Sequence, residues 1–418
     1  MSTAILSILI LVVVAGLMFF DKIPMTTIAI LGALVCCALG MYEFSDIFSE
    51  LGGTTIVLMF GLSIIGAAMY RSGLANLLAA GILRLTGKSE PGVILGILLV
   101  SAILSAVSSN TAVVLMMIPL VKGLSKEANI SLKRTMYPLA IGAGAGGACT
   151  LIGATSNVAG NAVLGTAGLP LMGFWDLGWI GIPFTIVSFI FMLTLGMKLL
   201  PKAEGYDGDP SEDFSVKVNT SKPKMILTAV IVVLSIVAMM ISSSALFVAS
   251  LVGAVLLMLT GCITEQAAFG AIEWKMFLLI VGFGVISSSI SNSGGGDLIA
   301  NGFVSLVGTN ASPILVCAVL FLLTSLITHF MSNVVTIMLM GPIAIHIAEG
   351  LGVNPVAMVI TAIVACNACY ATPLGSPYFT ILMPVAGYKF KDYVRMGLPF
   401  VLINFIIAVV IVPLVWKF

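Results

Sequence analysis

The sequence predicts an all-α polytopic membrane protein built from two inverted-topology repeats, with about ten transmembrane helices and two re-entrant hairpins. Three observations predict it. Of the 418 residues, 60% are hydrophobic and only 8% charged, with a mean hydropathy of +1.20, so the chain holds more apolar runs than a soluble core could bury. A serine-asparagine pair interrupts an apolar stretch in each half, Ser109-Asn110-Thr111 and Ser332-Asn333-Val334, 223 residues apart. The lysines and arginines, finally, segregate to one side when the chain is threaded through a bilayer.

In chain order, crossing segments are expected at 4–20, 25–40 and 54–70, followed by a broken region at 92–128 and further segments at 134–168 and 175–198. The first apolar run, Ile5 to Phe20, has no basic residues before it and no small-residue cleavage site after it, and reads as a retained helix. From Pro201 the texture turns polar and turn-rich as far as Lys224, which marks 201–223 as a linker. The pattern then recurs at 224–242, 245–260 and 274–292, with a broken region at 312–348 and spans at 355–384 and 398–416. The repeats are thus 1–200 and 224–418, with hairpin and broken helix at 92–168 and 312–384. Letters recur as well as hydropathy: LMFGLSIIGAAMYRSGLANLLA from Leu58 parallels LIVGFGVISSSISNSGGGDLIA from Leu279, and TLIGATSN from Thr150 parallels TPLGSPYF from Thr372.

With the N-terminus outside, 17 of the 18 Lys and Arg fall on one side, from Lys22 to Arg395, and only Lys417 lies opposite. Threading either broken region as a single crossing would destroy this bias, so both are expected to be re-entrant. Since positive charge marks the cytoplasmic face, both termini are expected outside and the linker inside. The first hairpin then enters from the cytoplasm and the second from outside.

At a hairpin tip, backbone carbonyls and amides leave the helical ladder, which is tolerated at membrane depth only around a cavity or ligand. Free carbonyls suit a small cation, and amides at a helix N-terminus suit an anion. Asn110 and Asn333 offer both an acceptor oxygen and a donor nitrogen, and Ser105 and Thr328 add hydroxyls. Two further breaks, Gly153 to Asn157 and Ala371 to Pro377, complete the constellation, since broken helices opposite such tips form ion and substrate sites in inverted-repeat carriers.

The two tips, the TLIG and ATPLGSP breaks and the closing GYKFKDYVRMGLP, Gly387 to Pro399, resemble the divalent anion:sodium symporters of the ion transporter superfamily over essentially the whole chain. The resemblance implies a homodimer of the inner, plasma membrane, in which a static scaffold domain (helices about 1–85 and 224–260) holds an elevator-like transport domain carrying both hairpins. It implies sodium held by Ser105, Ser109, Asn110 and the backbone near Cys149 and Gly153 in one half. In the other half it implies Thr328, Asn333 and the carbonyls of Met331 and Ala371. Asn110, Thr111, Ser332, Asn333, Val334, Thr372 and Pro373 would meet the substrate. The implied activity is sodium-coupled symport of a C4-dicarboxylate such as succinate, malate or fumarate. Carriage of an inorganic oxyanion, as sulfate uptake or arsenite efflux, and proton-coupled or exchange transport of carboxylates are the alternatives. Val334 departs from the threonine that usually ends the family's second tripeptide.

The rest of the composition narrows the class. A net charge of +1 without a basic run gives no sign of a nucleic-acid partner, and no motif points to an organic cofactor. The seven cysteines lack metal-ligand spacing and read as small packing residues. An intramembrane enzyme would need a nucleophile with a base or a metal set, and no HExxH motif or buried acidic pair is present. A channel would want a continuous polar lining, whereas polarity gathers here at two points. Asp176, Glu265, Glu273, Asp297 and Glu349 all fall near segment ends, which favours coupling through neutral oxygens and hence sodium. His329, beside Thr328, is read as a packing or hydrogen-bonding histidine, a selectivity residue or a proton site.

Overall fold

The computed structural model describes residues 2–19, 22–45, 47, 53–74, 77, 87, 89–203, 205–208, 222–241, 243–308 and 311–417. These residues form helices joined by turns and loops, with no strand among them. The first half contains α1 (Thr3–Phe19), α2 (Met25–Ala38), α3 (Thr54–Arg71), α4 (Glu90–Ser105), α5 (Asn110–Ala128), α6 (Leu132–Gly147) and α7 (Thr155–Thr166). It closes with α8 (Gly178–Phe191), which continues through a π turn at Met192–Gly196. The second half contains α9 (Lys222–Met239), α10 (Ser243–Leu259), α11 (Glu265–Gly270), α12 (Trp274–Asn292) and α13 (Gly295–Val307). After these come α14 (Pro313–Thr328), α15 (Asn333–Leu351), α16 (Pro355–Asn367), α17 (Pro377–Ala386) and α18 (Phe390–Val415). Five helices among the described residues are long and apolar enough to cross a membrane, and eight shorter apolar helices accompany them. Leu259 and Leu414, 78% and 74% exposed, belong to an outer surface that suits lipid contact and not water.

The helix starts are written in the sequence as caps. Ser89, Ser109, Ser131, Ser312 and Ser332 each accept a backbone N–H one turn into the following helix, at α4, α5, α6, α14 and α15, and Asn354 does the same for α16. Proline at the first helical positions of α14 and α16 reinforces the start. Hairpin arm α5 ends on Asn129 at φ 52° and its counterpart α15 on Gly352 at φ 66°, both left-handed caps. From the residue numbers, α14, α15 and α16 each begin 223 residues after α4, α5 and α6.

Helices α2 and α12 pack together, as do α3 and α10, so the leading helices of the two halves interlock. A second group forms around the hairpins: α4 on α6, α15 on α16, α14 on α16 and α18, and α6 on α8. The groups meet where α7 touches α3 and α12 and where α13 covers α15. Glycine permits the closest of these approaches. A Cβ on Gly146 would stand 2.1 Å from the Ala102 carbonyl oxygen and one on Gly142 2.0 Å from Ser101 Oγ, so α4 and α6 touch almost backbone to backbone.

Three details differ from the sequence expectation. Helix α13 fills a stretch where no element was expected. The last helix starts at Phe390 and not at 398, because Asp392 Oδ2 accepts the Lys389 N–H at 2.8 Å and caps it there. The linker at 201–223 lies largely outside the described residues (204 and 209–221), as do 75–76 and 78–86 of the first leading segment. Its described part is anchored, since Asp207 accepts from Ser131 Oγ and from the Leu132 N–H, both at 2.6 Å.

Candidate functional site

A cavity of about 580 Å³ lies between the two helix groups. Its walls are helix beginnings: Ser109, Asn110 and Thr111 of α5, Ala154, Thr155 and Ser156 of α7, Ser332, Asn333 and Val334 of α15, and Ser376, Pro377 and Tyr378 of α17. A fifth N-terminus, Glu273 to Met276 at the start of α12, closes the space from the opposite group. Each of these ends carries unsatisfied N–H groups and the positive pole of its helix. Five of them facing one cavity suit a negative charge, and no arginine is among the described residues that line it.

Behind each tip is a cage of oxygens. Ser105 Oγ donates to Asn110 Oδ1 at 2.5 Å, and Thr328 Oγ1 donates to Asn333 Oδ1 at 2.8 Å. Turned over, the Asn110 amide nitrogen would sit 2.9 Å from Gly153 O, 3.2 Å from Ala143 O and 2.5 Å from Ser105 Oγ. The Asn333 nitrogen would likewise meet Gly375 O at 2.8 Å, Cys366 O at 3.1 Å and Thr328 Oγ1 at 2.8 Å. As oriented, each amide oxygen therefore faces other oxygens, an arrangement relieved by reversing the amide or by a cation among them. Hydroxyl, amide and main-chain carbonyl oxygens are the donor set of a hard cation, so the residues present fit one ion per half. Gly147 is required beside the first cage, because a Cβ there would meet Asn110 Oδ1 at 2.1 Å.

The break between α6 and α7 is held by a buried polar bridge between the halves. Asn157 Nδ2 donates to Gly147 O at 2.9 Å and to Thr150 O at 2.8 Å, satisfying carbonyls that the end of α6 leaves open. Asn367 Nδ2 donates to Asn157 Oδ1 at 2.7 Å, and Ser156 Oγ donates to Asn367 Oδ1 at 2.6 Å. Asn157→Ala leaves the Gly147 carbonyl and Asn367 Nδ2 without these partners, at about 1–3 kcal/mol for each one orphaned. A thermal midpoint in detergent several degrees below that of the wild type is expected, and an unchanged midpoint would show that the bridge carries no stability.

The structure gathers Asn110, Thr111, Ser332, Asn333 and Val334 on the cavity wall. Thr372 and Pro373 are not on it: Thr372 Oγ1 donates to His329 O at 2.6 Å and Pro373 O accepts from Thr380 Oγ1 at 2.5 Å. Ser376 to Tyr378 takes their place. Among the expected cation ligands, Ser105, Asn110, Gly153, Thr328 and Asn333 come together. Ser109 is the cap of α5, and the contacts of the two amides include Ala143, Cys366 and Gly375 but not Cys149, Met331 or Ala371. The spacing held the signal for the missed carbonyls, since Ala143 and Cys366 are 223 residues apart. His329 is off the cavity wall. Its Nδ1 lies 2.5 Å from Ser325 O and so carries the proton, which leaves Nε2 an acceptor with no partner among the described residues.

Glu273 lies at a segment end as expected, but that end opens on the cavity together with Lys275, so the cavity wall is not free of charged side chains. The Glu273 side chain is exposed to the cavity yet crowded by protein, which raises its carboxyl above the usual carboxylate range.

An all-helical protein with several membrane-length apolar helices, whose broken elements converge on one cavity lined by helix N-termini, belongs to the class of multi-pass membrane proteins. The chain is a member of the citrate transporter family (CitMHS), whose profile matches residues 9–362 and 245–418, within the ion transporter superfamily. The Escherichia coli protein described as uncharacterized transporter YfbS is 32% identical over 171 residues, which is 41% of this chain and only 28% of YfbS. The sodium-dependent dicarboxylate transporter SdcS of Staphylococcus saprophyticus is 23% identical over 429 residues, 94% of this chain and 82% of SdcS. The solved structure of Neisseria gonorrhoeae MtrF, presented as illuminating a class of antimetabolite efflux pumps, superposes with a TM-score of 0.65 at 14% identity, covering 100% of this chain and 95% of that one. That likeness is one of fold.

Proposed function

We propose that this protein is a sodium-coupled symporter of a divalent anion, a C4-dicarboxylate such as succinate, malate or fumarate. The observation that carries the reading is the convergence of five helix N-termini on one cavity, with an oxygen cage behind each Ser-Asn tip. A dianion there is balanced by helix poles, by Lys275 and by the two cations, so anion and cations stabilise one another. The sodium dependence and dicarboxylate substrate named for SdcS support the choice of ion and anion.

The group carrying both hairpins is the moving body of an elevator, and the leading helices of the two inverted repeats form the scaffold of a homodimer in the inner membrane. Both termini are extracytoplasmic and the 201–223 linker is cytoplasmic, in keeping with the distribution of Lys and Arg. Uptake of labelled succinate into proteoliposomes under an imposed sodium gradient tests the function. Equal uptake with choline replacing sodium would remove the sodium coupling.

Thr111 and Val334 occupy matching positions on the two tips and both line the cavity. One hydroxyl donor to the anion is therefore missing, and a hydrogen bond to a charged group contributes about 1.5–3 kcal/mol. Val334→Thr is expected to tighten dicarboxylate binding about tenfold relative to sulfate, and an unchanged ratio of the two affinities would show that this position does not select.

A further inference from the structure

Glu273 lines the central cavity and also a neighbouring one of about 250 Å³, from the N-terminal end of α12. Its side chain is exposed to that space, and among the described residues no hydrogen bond or ion pair engages its carboxylate. It is a negative group standing where five helix poles and Lys275 attract negative charge. A Glu273 carboxylate and an anion at the tips answer to the same field and repel each other. The other titratable groups on these walls are Lys275 on its own helix, Tyr378 of α17 and Tyr70 of α3, whose hydroxyl donates to Ser108 Oγ at 2.8 Å. Crowding by protein raises the Glu273 carboxyl, and an anion facing it would raise it further.

We propose that Glu273 is a proton-binding site of the anion cavity: an anion settling at the two tips draws a proton from solvent onto the Glu273 carboxylate, so that anion and proton bind together. The proposal rests on the reading of the cavity as an anion site. Only an O–H bond forms, and the sign follows from reciprocity. If protonated Glu273 admits the anion more readily, the bound anion raises the proton affinity of Glu273 by the same factor. Anion affinity then falls as pH rises, by up to about tenfold per pH unit while Glu273 titrates. Removing the charge abolishes that slope.

Purified wild type, Glu273→Gln and Glu273→Asp in detergent are titrated with sulfate and with succinate from about pH 6 to pH 8, with a pH indicator in weak buffer reporting proton uptake. Sulfate carries no proton of its own in this range, so any uptake is the protein's. Wild type and Glu273→Asp are expected to bind sulfate more weakly at higher pH and to take up a proton on binding, whereas Glu273→Gln binds with no pH slope and takes up none. Binding by wild type and Glu273→Gln with the same slope and the same proton uptake overturns the role of Glu273 while leaving the anion site standing. Failure of every protein to bind either anion at any pH overturns the anion site itself, and the proposal with it.

Discussion

Asn110→Ala and Asn333→Ala are each expected to lower anion transport on the order of a hundredfold or more while leaving folded protein in the membrane. Each amide stands at two kinds of contact, on the cavity wall and at the centre of an oxygen cage. Truncation removes the group that shares its cage with Ser105, Ala143 and Gly153 in one half, or with Thr328, Cys366 and Gly375 in the other. Loss of a charge-assisted contact of about 3 kcal/mol corresponds to that fall in rate. Initial uptake in proteoliposomes, normalised to protein of native elution volume, is the measurement. Normal uptake by either variant would place the site elsewhere. Because the cages sit in different halves, both variants should also lose part of any stabilisation that sodium gives the wild type.

Gly146→Ala is expected to be among the most damaging conservative changes in the hairpin group. The added methyl would lie 2.1 Å from Ala102 O and 2.4 Å from Ala102 Cα, and backbone cannot turn aside as a flexible side chain does. Helix α4 must move off α6, which costs about 1–3 kcal/mol or more and shifts Ser105 at the end of α4 relative to Gly153. A thermal midpoint lower by several degrees and weakened sodium binding should appear together. As a control, Gly302→Ala adds its methyl to open space within α13 and should leave the midpoint unchanged or slightly raised. If both glycine variants melt alike, close backbone packing is not what holds these helices.

Much of this architecture was legible before any fold was known, for reasons that are local. The serines at 89, 109, 131, 312 and 332 act on amides within one turn, so their cap role needs no distant partner. The break expected at Gly153 to Asn157 lies a few residues earlier, at 148–154 between α6 and α7, and the one expected at Ala371 to Pro377 spans 368–376 between α16 and α17. Helix α13 was missed because its glycine-rich start, Gly294 to Gly296, reads as a loop. Thr372 and Pro373 were placed at the substrate by analogy of position. The fold turns them toward His329 O and Thr380, and three residues later the start of α17 reaches the cavity.

The sequence by itself determined the membrane class, the doubled Ser-Asn tips and the inequality of Thr111 and Val334, because apolar length, capping and residue identity are properties of short segments. Only the tertiary structure decided which carbonyls complete each cage and which helix ends share one cavity, because those depend on how closely α4 and α6, or α15 and α16, can pack. It also decided the standing of Glu273. In one dimension this is a carboxylate at the edge of a span, but the position of α12 across from the tips makes that edge a wall of the site, and the energy of a charge is set by what surrounds it and not by its place in the chain.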